Sequence, residues 1–339
     1  MFDPSPRCDR SLQGVRVLLL LLLLWPTSAF AERIPGPKKT EIEDIPLRLS
    51  ENTLHIDPMR RAAPWPQATA DLPQSDVVPG RVGKAPWTQF ERTFDESGCH
   101  SPRLSRDGAV ALAKCPGADI SRPEDEHVFY VRHEVLGRYR NALAPNSGPV
   151  ALDGDGERLA LIVEEANGGR SVHLLDFETQ RDIRISGGWR DPHAPVLAAD
   201  ANVVAFTATV GGNPAAIVVD VASGKAVVAR RNDQPMAVWG LDQKGRRVLL
   251  TSDTNDSSQL LLVDVVGGKT STLSNRKAAV TSAVLHPSGD SAGFAGELGG
   301  VGVLYWADLG AGNRTELATS VNSRFVVLGI DKSRRQLLY

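Results

Sequence analysis

The sequence predicts an all-β fold, a six-bladed β-propeller of four-stranded antiparallel blades, on three observations. First, Asp176, Asp220, Asp264 and Asp308 stand 44 residues apart. Second, each of them closes a short apolar run and opens a turn, as in IVVDVASGKAVV and LLVDVVGGKTSTL. Third, Gly108, Gly156, Asn202, Gly245 and Gly289, with Arg334 as a sixth member, mark a second series of turns at spacings of 48, 46, 43, 44 and 45. A period in the low forties built of strand-like segments is the signature of four-stranded sheets stacked around an axis. A β-sandwich also uses short strands, but its units do not share one period and one local grammar.

Taken in chain order, residues 1–31 read as a secretory signal. Arg7, Arg10 and Arg16 supply positive charge, seven consecutive leucines form the apolar stretch, and Ala29-Phe30-Ala31 supplies small residues for cleavage after Ala31. The run from Val17 to Trp25 is too short to span a bilayer, which takes about 20 residues. No stable membrane insertion is expected after cleavage, and the mature chain is expected in the periplasm or outside the cell. Residues 32–99 form an extended, proline-rich segment in which 45–56 and 86–94 alternate well enough to be strands. Proline at this density forbids helices and interior strands, so the rest should run over a surface.

Residues 100–339 hold five complete repeats and half of a sixth. The first strand of each enters the Gly turn and the second leaves it as an apolar run. The third ends at the period-44 aspartate, and the fourth follows a turn such as Ser223-Gly224. Small or acidic residues three before the turn glycine, among them Asp153 and Asp242, suit turn caps, and His286 takes the same place in the fifth repeat. In the first repeat Arg132 stands where the aspartate falls in the others. Such a blade is apolar on both faces and must be stacked to bury them. Cys99 and Cys115 flank a predicted hairpin in an oxidising compartment, which suits a disulfide.

Units such as SGPVALDGDGERLALIVEE followed by HLLDFETQRDIRI resemble the repeats of TolB-type propellers, and N-terminal propellers of prolyl oligopeptidases are similar. The resemblance covers about residues 100–339. It is weaker where Asp200-Ala201-Asn202 replaces Asp-Gly and where Arg132 replaces the aspartate. It implies six or seven blades and a periplasmic location, but no single activity. Two explanations of the half repeat stay open: residues 45–56 and 86–94 add the missing strands, or the chain is the front of a longer protein.

Catalytic motifs are absent. There is no Gly-x-Ser-x-Gly, no His-Glu-x-x-His and no phosphate loop, and the seven histidines are scattered. No cofactor and no metal is expected; the acidic clusters at 153–157 and 253–256 read as solvated turns with too few oxygens for calcium. The 38 basic and 40 acidic side chains balance to a net charge of −2, which carries no footprint for nucleic acid. What remains is the axial mouth, where His100, Arg103, Trp189, Arg190, His193, Trp239 and Arg324 precede or begin inner strands. Aromatic and guanidinium groups anchor partners, and the loop GGWRDPHAP (187–195) gathers three of the seven. The expectation is an exported, non-enzymatic propeller binding a protein or peptide through one face. The alternative is the substrate-gating propeller of a prolyl oligopeptidase-like serine peptidase whose catalytic domain lies outside this chain.

Overall fold

The computed structural model describes residues 31–54, 56–58, 100–104, 110–115, 127–132, 135–139, 150–199, 202–254, 257–274, 279–321, 324–327, 329–330 and 337–338. These form antiparallel sheets, and no helix occurs among them. Blade 1 comprises His100–Leu104, Val110–Cys115, His127–Arg132 and Val135–Tyr139. Blade 2 comprises Ala151–Leu152, Arg158–Glu164, Arg170–Asp176 and Arg181–Gly187. Blade 3 is Arg190–Leu197, Val203–Val210, Asn213–Asp220 and Lys225–Arg231. Blade 4 is Met236–Leu241, Arg247–Thr254, Ser257–Asp264 and Lys269–Thr272, and blade 5 is Ala279–Leu285, Ser291–Leu298, Val301–Asp308 and Asn313–Ser320. In each, the four strands pair in meander order. A two-stranded pair, Gly329–Ile330 with Leu337–Leu338, follows.

The second and third strands lack the alternation of a half-exposed sheet because both of their faces are covered. Five consecutive residues are buried in Arg158–Glu164 and again in Arg170–Asp176. The apolar clusters lie in the seams: Ile162, Leu174 and Ile185 of blade 2 meet Phe206, Ile217 and Val228 of blade 3. The equivalent seams join blades 3 and 4, and blades 4 and 5. Burial on this scale, about 25 cal/mol per Å² of apolar surface, is what holds stacked blades together.

The aspartate ladder is a set of turn caps. Asp220 Oδ1 accepts the N–H groups of Ala222 and Ser223 at 3.0 and 3.1 Å. Asp264 Oδ1 accepts those of Val266 and Gly267 at 3.0 and 2.7 Å. Asp176 and Asp308 each hold one N–H, of Thr179 and Ala311, at 2.8 Å. A side-chain acceptor here replaces a backbone partner that a four-residue turn cannot supply. Blade 1 explains its own exception: Arg132 pairs with Val135, so only two residues intervene and the four-residue turn is absent. The first-to-second-strand turns use the same device, with Asp153 Oδ1 accepting from Glu157 and Arg158 at 2.9 and 3.2 Å. Burial raises the Asp153 carboxyl above its ordinary range, against the opposing pull of these N–H groups and of Arg158.

The N-terminal segment departs from expectation. Residues 32–58 form a belt that adds a fifth strand to every blade, in reverse order. Glu32–Arg33 pairs with blade 5, Lys38–Lys39 with blade 4, Glu43–Asp44 with blade 3, Leu47–Thr53 with blade 2 and Ile56–Pro58 with blade 1. Neighbouring strands rotate by about 20–25°, so three steps carry the outermost strand roughly 60–75° from the innermost, close to the circumference. One extended segment can therefore meet the outer strands in succession. Where it crosses from blade to blade it drops Ile34, Ile42 and Ile45 into the seams, and Leu54 packs against blade 2. Glu32 also pairs with the buried guanidinium of Arg314, and Glu43 with Arg231 at 2.9 Å.

The expectation that 45–56 supplies a strand to the last half blade is thus corrected: Leu47–Thr53 pairs along its whole length with Arg181–Gly187 of blade 2. The two-residue pairings at 32–33, 38–39 and 43–44 were not expected as strands, because segments that short between prolines carry no alternation. Residues 86–94 lie outside the described residues, as does Cys99, so the disulfide does too. The half repeat itself packs on blade 5: Val327 N–H donates to Ser282 Oγ at 2.9 Å, and Leu337 occupies the space that Gly293 leaves without a side chain.

Candidate functional site

The meander places the ladder turns on one face of the propeller. The second-to-third-strand turns and the connections between blades lie on the other. The passage from blade 2 to blade 3, residues 187–195, runs from the end of one strand through Gly188 and Trp189 into the bulged start of the next, and is built from a run of unusual local choices. Gly187 lies against the indole of Trp189 and the carbonyl of Pro46; a Cβ there would meet them at 2.2 and 2.3 Å. Gly188 N–H donates to the same Pro46 carbonyl at 3.0 Å, tying the loop to the belt.

Trp189 corrects the sequence reading. It is 8% exposed and packs against Phe206 with ring centroids 5.3 Å apart, inside the seam between blades 2 and 3. The aromatic that was expected to meet a partner instead anchors the loop from below. Arg190, Asp191 and His193 are exposed above it, while Pro192 and Pro195 are buried. Asp191 and Ala194 both adopt left-handed backbone, with φ of 50° and 49°. Each precedes a proline, which pushes its predecessor towards extended conformation. Left-handed geometry at a non-glycine residue costs roughly 1 kcal/mol. Two register shifts interrupt pairing at Arg190, His193 and Val196, as β-bulges that re-aim side chains do. His193 Nδ1 donates to the Asp191 carbonyl at 3.2 Å, and Thr207 Oγ1 donates to the His193 carbonyl at 3.3 Å.

The remaining candidates scatter. Trp239 is half-buried at the seam of blades 4 and 5, its Nε1 donating to Thr251 Oγ1 at 3.1 Å. Arg324 is exposed and pairs with Glu297 at 3.4 Å. His100 and Arg103 lie on the innermost strand of blade 1, opposite Lys114 and Leu112. Only Arg190 and His193 share one exposed loop with each other. The left-handed residues beside them were missed, although the paired Asp-Pro and Ala-Pro steps were in view.

One polar constellation also escaped the sequence reading. His173 bridges Asp182 Oδ1 at 2.6 Å and Ser171 Oγ at 3.0 Å, all three residues being buried. Ser171 donates to Glu165, which also holds Arg184 Nε at 2.7 Å. The order Ser, His, Asp matches that of a nucleophile with its base. Here the hydroxyl is 1% exposed and already donates to a carboxylate, so the chain of bonds ties the third strand of blade 2 to its fourth. Among the described residues no group of three or more His, Cys, Asp or Glu is placed to hold a metal.

No protein-family model matches the chain, and no curated protein is similar to it in sequence. Among solved structures, a TolB-designated protein from Agrobacterium tumefaciens is 15% identical, with a TM-score of 0.50 over 65% of this chain and 80% of that one. TolB from Acinetobacter baumannii is also 15% identical, with a TM-score of 0.45 over 66% of this chain and 55% of that one, so the match spans little more than half of that protein. An acylaminoacyl peptidase is 15% identical, with a TM-score of 0.47 over 70% of this chain and 41% of the peptidase. At these identities the likeness is one of fold: the chain has the architecture of a TolB-type β-propeller. No helix among the described residues is long and apolar enough to cross a membrane.

Proposed function

We propose that the chain is an exported, non-enzymatic propeller that binds a protein or peptide partner through the face carrying residues 187–195. The observation that supports this reading most is the pair of left-handed, non-glycine residues, Asp191 and Ala194, in the bulged first strand of blade 3, whose approach is anchored by the buried Trp189. Backbone strain of this kind persists where the surroundings impose it and clusters at binding sites. Arg190 offers a planar donor fork and His193 an imidazole, both suited to peptide carbonyls and carboxylates. The TolB likeness is compatible with a docking role but adds only the fold.

The test is capture of partners from an envelope extract by the intact protein and by Arg190→Ala/His193→Ala. Both side chains are exposed, so stability should change by less than about 0.5 kcal/mol while capture falls. Unchanged capture would remove the assignment of this loop.

A further inference from the structure

Two clefts open on the opposite face, where the turns of blades 4 and 5 meet the belt. The first, of about 540 Å³, runs beside Lys244, Arg246 and Arg247. The second, of about 550 Å³, runs from Arg33 of the belt past Arg247 to Lys269. Arg247 and Asp264 line both, so the two clefts are neighbours along one seam.

Five cations therefore border this groove against two carboxylates, Asp242 and Asp264, in a chain of net charge −2. Both carboxylates are engaged by the backbone. Asp242 Oδ1 accepts the N–H groups of Arg246 and Arg247 at 2.6 and 3.1 Å, and Asp264 Oδ1 caps its own turn. Elsewhere on the rim Arg181, Arg231 and Arg314 each meet a belt carboxylate: Glu51, Glu43 and Glu32. No such ion pair joins Arg33, Lys244, Arg246 or Lys269 among the described residues. Arg247 is held in place between the clefts, with Nη1 donating to the Gly289 carbonyl at 2.5 Å and its stem under that glycine. A guanidinium fixed this way presents the rest of its fork to the groove at little further entropic cost.

We propose that the paired clefts bind an extended acidic peptide segment, with one carboxylate on Arg247 and its neighbours reaching Lys244 and Arg246 on one side and Lys269 and Arg33 on the other. The site lies across the propeller from residues 187–195 and does not rest on the function proposed for them.

The probe is a fluorescein-labelled hexaglutamate peptide, followed by anisotropy on the full chain at about 20 and 200 mM salt. Binding should weaken as salt rises. Arg246→Glu/Lys269→Glu should weaken it by more than about tenfold, whereas Arg48→Glu/Lys225→Glu, with the same change of charge on exposed sites elsewhere, should weaken it by less than about threefold. Circular dichroism of all variants confirms that folding is intact. Equal losses in both double variants would overturn the proposal, as would absence of binding to the parent chain. Inorganic triphosphate displacing the peptide at lower concentration, with the same dependence on Arg246 and Lys269, would also overturn it by assigning the groove to phosphate.

Discussion

The repeat turns and the loop at 187–195 both use left-handed backbone, and they treat it in opposite ways. In the turns after the aspartate ladder, the residue four beyond the aspartate is left-handed in blades 2 to 5. It is Gly224, Gly268 and Gly312 in three of them, and Gln180 in the fourth, at φ 54°. Its carbonyl then faces the belt, accepting Ile34 N–H at Gly312, Thr40 N–H at Gly268 and Leu54 N–H at Gln180. Three of the four turns relieve strain with glycine, and all four cap their ends with aspartate. The loop does neither, placing aspartate and alanine at left-handed positions ahead of two prolines. Where a segment serves only folding, its residues mostly follow local preference; a segment that departs from preference twice within four residues is answering to something else.

This contrast can be broken most forcefully beneath the loop. Trp189→Ala should destabilise by about 3–5 kcal/mol in chemical denaturation, as truncation of a buried aromatic does. An effect below about 1 kcal/mol would show the indole is not core. In the turns the effects are smaller. Asp264→Ala should cost about 1 kcal/mol through its two released N–H groups, and Asp264→Asn should recover most of that. The smallest effect is a pH dependence at Asp153. Its folded carboxyl sits above the unfolded value of 3.8, so the stability it contributes is fully present below that value and is lost as pH rises through the folded pKa. Asp153→Asn should therefore gain on the parent as pH is raised across that window. Denaturation midpoints for the pair that stay parallel with pH would contradict it.

The blades were legible because both the aspartate and the glycine series are local chemistry repeated at one period. Arg132 is the irregular position in the sequence, and its direct pairing with Val135 accounts for it. The belt was not legible. Its pairings with blades 5, 4 and 3 are each two residues long, and their partners lie roughly 180 to 280 residues away in the chain. No local pattern encodes a strand that short; the outer strands define it. The site was half legible. Residue type drew attention to 187–195, but type alone does not separate Trp189, which faces the seam, from Arg190, which faces solvent. Burial decides that, and burial here depends on Phe206 from the next strand and on Pro46 from the belt.

The most direct measurement compares glycine substitutions at the two kinds of left-handed position. Gln180→Gly and Asp191→Gly/Ala194→Gly should each raise stability, by roughly 1 kcal/mol per relieved residue less the entropy that glycine adds to the unfolded chain. Capture of envelope partners should be unchanged in Gln180→Gly and reduced in Asp191→Gly/Ala194→Gly despite its greater stability. If the loop variant is stabilised and captures partners as well as the parent, the strain at 187–195 has no part in binding.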